Sequence, residues 1–214
     1  MNINFKFNDF LKFCKIMTFF PLIYSINRFK QFYIYAIIFN DKFILKMNEK
    51  AKELGMNAMA ITDHGVMYGA IDFYKACKKE GIKPIIGCEV YVAPRSRFDK
   101  EPGIDNKYNH LILLAKNNVG YKNLSKLVSI GFVDGYYYKP RIDLEVLEKY
   151  SEGLICLSAC LAGSVNQALL NGNEEKAEEI ANWHKKVFGE DYYIEIQNNG
   201  LQEQVLANQK LIKL

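Results

Sequence analysis

The sequence has no apolar segment long enough to cross a membrane. Its longest uncharged runs, residues 16–27 and 31–40, are separated by Arg28 and Lys30. Each run is shorter than the roughly 20 residues that a membrane-spanning helix needs. A signal peptide is not indicated either, because no small-residue cleavage site follows a clean apolar core. A membrane anchor is therefore the minor alternative.

The sequence also lacks the paired cysteines of a secreted protein. Its five cysteines are odd in number, and no two of them form a CxxC pair. This pattern excludes a secreted disulfide framework and favours reduced thiols. We therefore expect a cytoplasmic protein.

An excess of basic charge is absent from most of the chain. The net charge is +4, but residues 1–46 alone carry seven lysines or arginines against two aspartates. The other residues carry 21 basic and 22 acidic side chains. The net charge thus excludes a basic nucleic-acid module, and any nucleic-acid contact must be local or supplied by other parts of a longer protein.

Residues 1–46 contain none of the 14 glycines and ten of the 14 phenylalanines. They show no period of 2 or 3.6, so we interpret residues 1–46 as an anomalous leader, frameshifted or disordered, and residues 47–214 as the domain.

An amphipathic helix is predicted over residues 201–214 without a final cap. This pattern suggests a truncated chain.

What the chain does contain is an alternation of apolar strands and amphipathic helices. A buried strand at residues 57–61, a helix at 68–80 and a second strand at 85–92 predict a βαβ unit with parallel strands. The same alternation continues downstream, so the sequence predicts an α/β barrel or a doubly wound sheet.

Three side chains that can bind metal or move protons follow these strands. Asp63 and His64 come directly after the first strand, and Glu89 lies near the end of the second. The carboxyl ends of parallel strands meet at one edge, so the three are predicted to converge. In the alternative interpretation, Asp63 caps the following helix, His64 is a turn residue and Glu89 forms a buried ion pair.

His110 and Cys160 also lie beside apolar strands and extend the candidate site. Imidazole, carboxylate and thiolate together suit Zn, Mn or Fe better than Mg or Ca. His110 begins its strand, and a strand of about six residues spans roughly 20 Å. His110 can therefore join only if its strand is shifted or the preceding loop curls over the rim. Cys160 has the alternative of a small core residue, and His184 is predicted to be core packing.

Several long ungapped runs resemble a known family. They are ITDHG (61–65), GAIDFYKA (69–76), GIKPIIGCEVYVAP (81–94), YKPR (138–141) and GLICLSACLAG (153–163). Together they resemble the amino-terminal PHP (polymerase and histidinol phosphatase) domain of bacterial DNA polymerase III alpha subunits. The resemblance covers residues 47–214.

This resemblance implies a distorted (β/α)7 barrel with a multi-metal site that supports a 3′–5′ exonuclease in some members. His64, Glu89, His110 and Cys160 match family metal positions, Asp63 lies in the same motif as a catalytic candidate, and Arg141 could face a phosphate or hold a loop. The implied cofactor is a divalent ion, Zn or Mn, with Mg at the polymerase centre of a full-length parent. The implied partners are DNA and other replisome subunits.

The sequence departs from the family pattern at two places. No histidine precedes His64, so the opening His-x-His is missing, and so is the later Asp-x-His. We therefore expect a barrel and a metal site incomplete at both ends, without a polymerase centre. The alternatives are a stand-alone phosphatase of the histidinol-phosphatase type and a non-catalytic interaction domain.

Overall fold

The computed structural model describes residues 41–198 and 200–214. Residues 1–40, most of the predicted leader, lie outside the described part. The helices are α1 (Asp41–Glu53), α2 (Ala70–Lys79), α3 (Asn118–Val133), α4 (Leu144–Lys149), α5 (Ser164–Leu170), α6 (Glu174–Phe188) and α7 (Gln202–Leu211). The strands are β1 (Ala58–His64), β2 (Lys83–Val92), β3 (Asn109–Ala115), β4 (Tyr136–Tyr137), β5 (Lys139–Ile142), β6 (Leu154–Leu157) and β7 (Tyr192–Tyr193). The predicted α/β class is confirmed.

The strands form one sheet around β2. The order along the sheet is β4-β5-β2-β3-β6-β7, and β1 pairs with β2 beside this path. β1 and β2 are parallel over their whole overlap, which confirms the predicted βαβ unit. Over the described residues this order gives an open sheet, consistent with an incomplete PHP barrel.

Strand β3 runs antiparallel to β2, with His110 opposite Tyr91. Strand β6 is antiparallel to β3 and so parallel to β2. The start of β3 and the ends of β1, β2 and β6 therefore lie at the same edge of the sheet, which we call the rim. This topology positions the functional site.

Alternation along the strands divides the core into two faces. On one face, Met59, Ile61 and Ile86 pack against Phe73 and Cys77 of α2. On the other face, a second cluster contains Ala60, Ile85, Ile112, Leu114, Ile155 and Leu157. The side chains at the rim thus belong to one face or the other according to their position in the strand.

Side chains at the helix starts explain several element boundaries. The Asn117 side chain accepts a hydrogen bond from the Gly120 N–H at 3.0 Å, and the Asp143 side chain accepts one from the Val146 N–H at 3.2 Å. These caps satisfy N–H groups that have no partner inside the helix. Both α3 and α4 begin where the sequence predicted.

Helix α1 begins earlier than the sequence predicts, because Asn48 is a candidate cap for a helix that runs to Leu54. Its first residue is Asp41, so it extends into the segment interpreted as a leader. Asn48, expected as the cap, lies inside the helix, where it is buried and its Oδ1 accepts a hydrogen bond from the Cys77 Sγ at 3.1 Å. Tertiary packing against α2 therefore overrides the local capping signal.

Among the described residues, no helix combines the length and apolar character that a bilayer crossing requires.

Candidate metal centre

His64 and Glu89 meet where β1 and β2 end. They are directly paired in the parallel register, so their side chains leave the same face of the sheet. The Nε2 atom of His64 lies 2.9 Å from the Oε1 atom of Glu89. Glu89 is 1% exposed, and a carboxylate so deeply buried requires a cationic partner or a metal ion.

His110 joins this pair because β3 is antiparallel. Its Nδ1 atom lies 2.7 Å from the same Glu89 oxygen. Its backbone N–H donates to the carbonyl of Ala162 at 3.0 Å, which fixes the start of the strand. The geometric difficulty seen in the sequence is thus removed by strand direction, and neither a shifted strand nor a curled loop is needed.

Cys160 reaches the cluster from the turn after β6. The predicted strand over residues 154–160 ends at Leu157, and Ala159 then adopts a left-handed φ of 63°. The carbonyl of Cys160 accepts hydrogen bonds from the Gly163 N–H at 2.8 Å and from the Asn166 Nδ2 at 2.9 Å. These contacts hold the Cys160 Sγ atom 3.5 Å from the His110 Nδ1 atom.

The backbone of this turn is also tightly packed. A Cβ atom at Gly163 would lie 2.1 Å from the carbonyl oxygen of Ser158. A left-handed conformation at a non-glycine residue such as Ala159 persists only where its surroundings enforce it. The backbone around Cys160 is therefore built to place the thiol at one position.

The environment of His110 favours its charged form. Burial lowers the pKa of His110, but the hydrogen bonds with Cys160 and Glu89 outweigh burial and raise this pKa to about 9. In the absence of a metal ion, His110 is an imidazolium that neutralises Glu89. A metal ion would have to displace this proton, so metal affinity should rise with pH.

The donor set fits one divalent ion. The ligand atoms of Glu89, His110 and Cys160 all lie within 4.8 Å of one another. Carboxylate, imidazole and thiolate are the ligands of zinc sites, in which bond lengths are about 2.0–2.3 Å. His64 adjoins the same carboxylate oxygen and can serve as a fourth donor.

Asp63 does not join this cluster. It precedes His64 by one residue, and successive side chains of a strand point to opposite faces. Its Oδ2 atom accepts a hydrogen bond from the Gly69 N–H at 3.4 Å, where α2 begins. Burial raises its pKa to about 6 despite this hydrogen bond. These contacts support the alternative in which Asp63 caps the helix, and its catalytic role stays a prediction.

Arg141 does not face the site either. Its guanidinium is fully buried and donates to the carbonyls of Gly135, Asp105, Arg97 and Asp99. With all three nitrogens bonded to the backbone, Arg141 has no free edge for a phosphate. Its contacts support the loop-holding alternative.

His184 is buried in a different part of the molecule, as predicted. Its ring lies between Phe188 and Tyr192 in near-parallel stacking. Its Nδ1 atom is 2.8 Å from the carbonyl oxygen of Ile180. It therefore acts as a packing residue of α6.

Two aromatic residues beside the cluster were missed in the sequence. The ring of Tyr91 lies 5.4 Å from that of His110, and the ring of Tyr108 stacks on His110 at 6.0 Å. Tyr91 follows Glu89 by two residues, so the strand period could have placed it on the same face. Tyr108 precedes the strand, where no periodic signal exists.

Comparison with known proteins identifies relatives of the whole domain. The family model described as PHP domain matches residues 41–199. DNA polymerase III subunit alpha of Borreliella burgdorferi is 49% identical over 180 residues, which cover 84% of this chain and 16% of that protein. The Treponema pallidum subunit is 50% identical over 182 residues, with the same coverage. The Aquifex aeolicus subunit is 50% identical over 172 residues, covering 78% of this chain and 15% of that protein. The chain thus spans about 16% of the length of these relatives.

Proposed function

Because this chain belongs to the PHP domain family, we propose that it is the PHP domain of a replicative DNA polymerase III alpha subunit, with a metal centre for phosphodiester cleavage. The polymerase activity, the DNA substrate and the replisome partners belong to this proposal, since the chain matches only a small part of its relatives. The cluster of Glu89, His110 and Cys160 is the observation that carries the proposal.

The buried carboxylate is the observation that supports a metal-binding role. Glu89 lies within 3 Å of two imidazole nitrogens at the rim, where the side chain of His64 keeps 31% of its exposure. A purely structural ion pair would need one histidine. The second histidine and the thiol make the arrangement better suited to binding a metal ion than to holding one proton.

Each donor has a separate part in this proposal. Glu89 and the Cys160 thiolate would supply the negative charge, and His110 would supply a neutral imidazole nitrogen. His64, the most exposed donor, stands between the ion and solvent. When bound, a divalent ion supplies Lewis-acid polarisation of a phosphoryl oxygen and lowers the pKa of a water molecule. We propose Zn or Mn as that ion, because the soft thiolate favours Zn and the carboxylate suits Mn.

We propose a single ion for this chain. The multi-metal site implied by the family resemblance also draws on His-x-His and Asp-x-His pairs, which this sequence does not contain. Glu89, His110 and Cys160 supply three donors for one tetrahedral ion, and the fourth position would be open to His64 or to a water molecule. Two-metal clamping of the attacking and leaving oxygens is therefore not part of the proposal for these 214 residues.

Metal stoichiometry tests the proposal directly. The full chain is dialysed against Zn²⁺ or Mn²⁺, and bound metal is measured by mass spectrometry. We expect about one ion per chain, lost in His110→Ala and retained in the control His184→Asn, because only the first variant removes a donor. Cleavage of 3′-labelled DNA, with and without a chelator, is measured on the same samples.

Each outcome has a defined meaning. Metal bound through His110 together with chelator-sensitive cleavage supports both parts of the proposal. Bound metal without cleavage supports a structural metal and rejects catalysis by this chain. Equal metal content in wild type and His110→Ala would reject the assigned site.

A further inference from the structure

The β4–β5 hairpin brings basic and aromatic side chains to the edge of the metal centre. Strand β5 is parallel to β2 with Arg141 opposite Tyr91, so Lys139 lies at the level of Glu89. The hairpin packs closely on the end of β1. A Cβ atom at Gly65 would lie 3.0 Å from the Pro140 Cγ atom and 2.8 Å from the Tyr91 ring.

Aromatic rings connect Lys139 to the cluster without interruption. The Lys139 Nζ atom lies 5.5 Å from the centre of the Tyr91 ring. Tyr91 contacts both the His110 ring, at 5.4 Å, and the Tyr108 ring, at 4.9 Å. His110 in turn contacts Glu89. The buried Tyr91 ring thus links Lys139 to the metal donors through direct side-chain contacts.

Lys139 and Lys107 differ from the arginines of this region in having no acidic partner among the described residues. Arg95 is paired with Asp105 and Glu101, and Arg97 with Asp143. Within the described residues, no carboxylate lies within ion-pair distance of Lys139 or of the exposed Lys107, which directly precedes Tyr108. The rim thus carries local positive charge on a domain whose remaining charges nearly balance.

Tyr138 lies in the turn of the hairpin, where its ring contacts that of Tyr137 at 4.7 Å. It has a φ of 59°, although it is not glycine, and it is 68% exposed. Both features are costly for a large aromatic side chain. Its neighbour in the chain is Lys139, so the tip of the hairpin carries both an exposed ring and a cation. Aromatic rings next to a positively charged groove are the elements that bind single-stranded nucleic acids.

We propose that Lys139 and Tyr138 form a subsite for a single-stranded polynucleotide beside the metal centre. Lys139 binds a backbone phosphate, and Tyr138 stacks on a base. Lys139 thereby takes the phosphate-binding position that the sequence had suggested for Arg141. The choice of substrate class rests on the proposed function, whereas the contacts rest on the geometry of the hairpin.

The test measures binding of a fluorescein-labelled thymidine 12-mer to the full chain by anisotropy at several salt concentrations. We expect Lys139→Gln to weaken binding at least threefold at low salt and to reduce the log–log salt slope by about 0.7, the value of one phosphate contact. Lys139→Arg should restore both. The control is Lys186→Gln, which removes the same charge from the exposed face of α6 and should bind as wild type does.

A second pair of variants tests the stacking contact. Asparagine tolerates the left-handed conformation, so Tyr138→Asn should keep or raise the melting temperature while weakening binding about fivefold or more. Tyr138→Phe should bind as wild type does.

Equal losses of binding in Lys139→Gln and Lys186→Gln would overturn the phosphate contact. Wild-type binding by Tyr138→Asn would overturn the stacking contact.

Metal content, measured on the same samples, separates this inference from the proposed function. Bound metal without Lys139-dependent strand binding retains the metal centre and overturns the subsite. Strand binding through Lys139 without bound metal supports the subsite and rejects the metal centre.

Discussion

The three histidines of this chain occupy three different electrostatic environments. His64 lies at the rim beside a buried carboxylate. His110 contacts that carboxylate and a thiol, and its pKa is raised. His184 lies among aromatic rings, where burial lowers its pKa in spite of a hydrogen bond with the Ile180 carbonyl. Since a carbonyl only accepts, the Nδ1 atom of His184 carries the hydrogen, and the neutral form is the one that fits.

At the residue scale, the lowered pKa of His184 predicts a pH dependence of stability. Below pH of about 6.5 the unfolded chain binds a proton at this residue and the folded chain does not. The free energy of unfolding should therefore fall as the pH decreases through this range, by at most about 1.4 kcal/mol per pH unit from this group. Urea unfolding at pH 7.5, 6.5 and 5.5 measures the effect.

The matched variant isolates this contribution from other groups. Asp63 has a raised pKa, so in the same range it contributes stability that increases as the pH falls. His184→Asn keeps Asp63 and removes only the contribution of His184 to the pH dependence of the unfolding free energy. Its unfolding free energy should therefore decrease less, or increase, on acidification. The same pH dependence in wild type and variant would contradict the assignment.

At the same scale, Asp63 and His64 show what the sequence could and could not predict. The residue types and their place after a strand predicted a rim site, and His64, Glu89, His110 and Cys160 do converge there. The separation of Asp63 follows from strand alternation, which applies once the strand is known to extend through His64. The apolar pattern predicted a strand that ends at residue 61. With that boundary, the alternation of the side chains of Asp63 and His64 between the two faces could not be predicted.

At the element scale, the segment of residues 93–108 is more ordered than its composition suggested. It connects β2 to β3, and the charged residues 95–107 with their Pro102-Gly103 pair predict an exposed loop from sequence. In the structure, Arg141 binds the carbonyls of Arg97, Asp99 and Asp105, and the carboxylate of Asp105 is itself fully buried. The segment ends just before His110. Fixing it therefore also fixes the start of the strand that carries a metal donor.

Removing the Arg141 side chain should unfold this segment. In Arg141→Met, buried carbonyls lose a charged donor, and the expected loss of unfolding free energy is about 3 kcal/mol or more. Lys139→Met, in the same strand, removes a charge without leaving a buried group unsatisfied and should cost less than about 0.5 kcal/mol. Urea unfolding measures both variants. Similar values for the two would show that Arg141 does not hold the segment.

The direction of β3 is the element-scale feature that the sequence pattern did not reveal. Local periodicity predicts that a strand exists, but strand direction depends on pairing between distant segments. The connection of residues 93–108 contains no helix, whereas parallel strands are usually joined by one. This absence is the signal that could have indicated an antiparallel strand and removed the difficulty with His110.

At the scale of the whole molecule, the metal centre connects parts of the sheet that are far apart in sequence. Its four candidate donors come from β1, β2, β3 and the turn after β6. Among the described residues, β1 pairs with β2 alone, so its other edge has no strand. An exposed edge is the least protected part of a sheet. A metal ion held by His64 would therefore stabilise β1 from its carboxyl end.

Chelation should then destabilise the whole domain. An ion present at 100 times its dissociation constant adds about 2.7 kcal/mol to the free energy of unfolding. For a domain of this size, that corresponds to a decrease of about 5–10 °C in melting temperature when the ion is removed. Scanning calorimetry of the metal-loaded chain, with and without EDTA, measures the shift. His110→Ala provides the control, because a chain that has lost a donor should melt at the same temperature in both buffers. If EDTA leaves the wild-type melting temperature unchanged, the cluster holds no stabilising ion, and the buried Glu89 is neutralised by His110 alone.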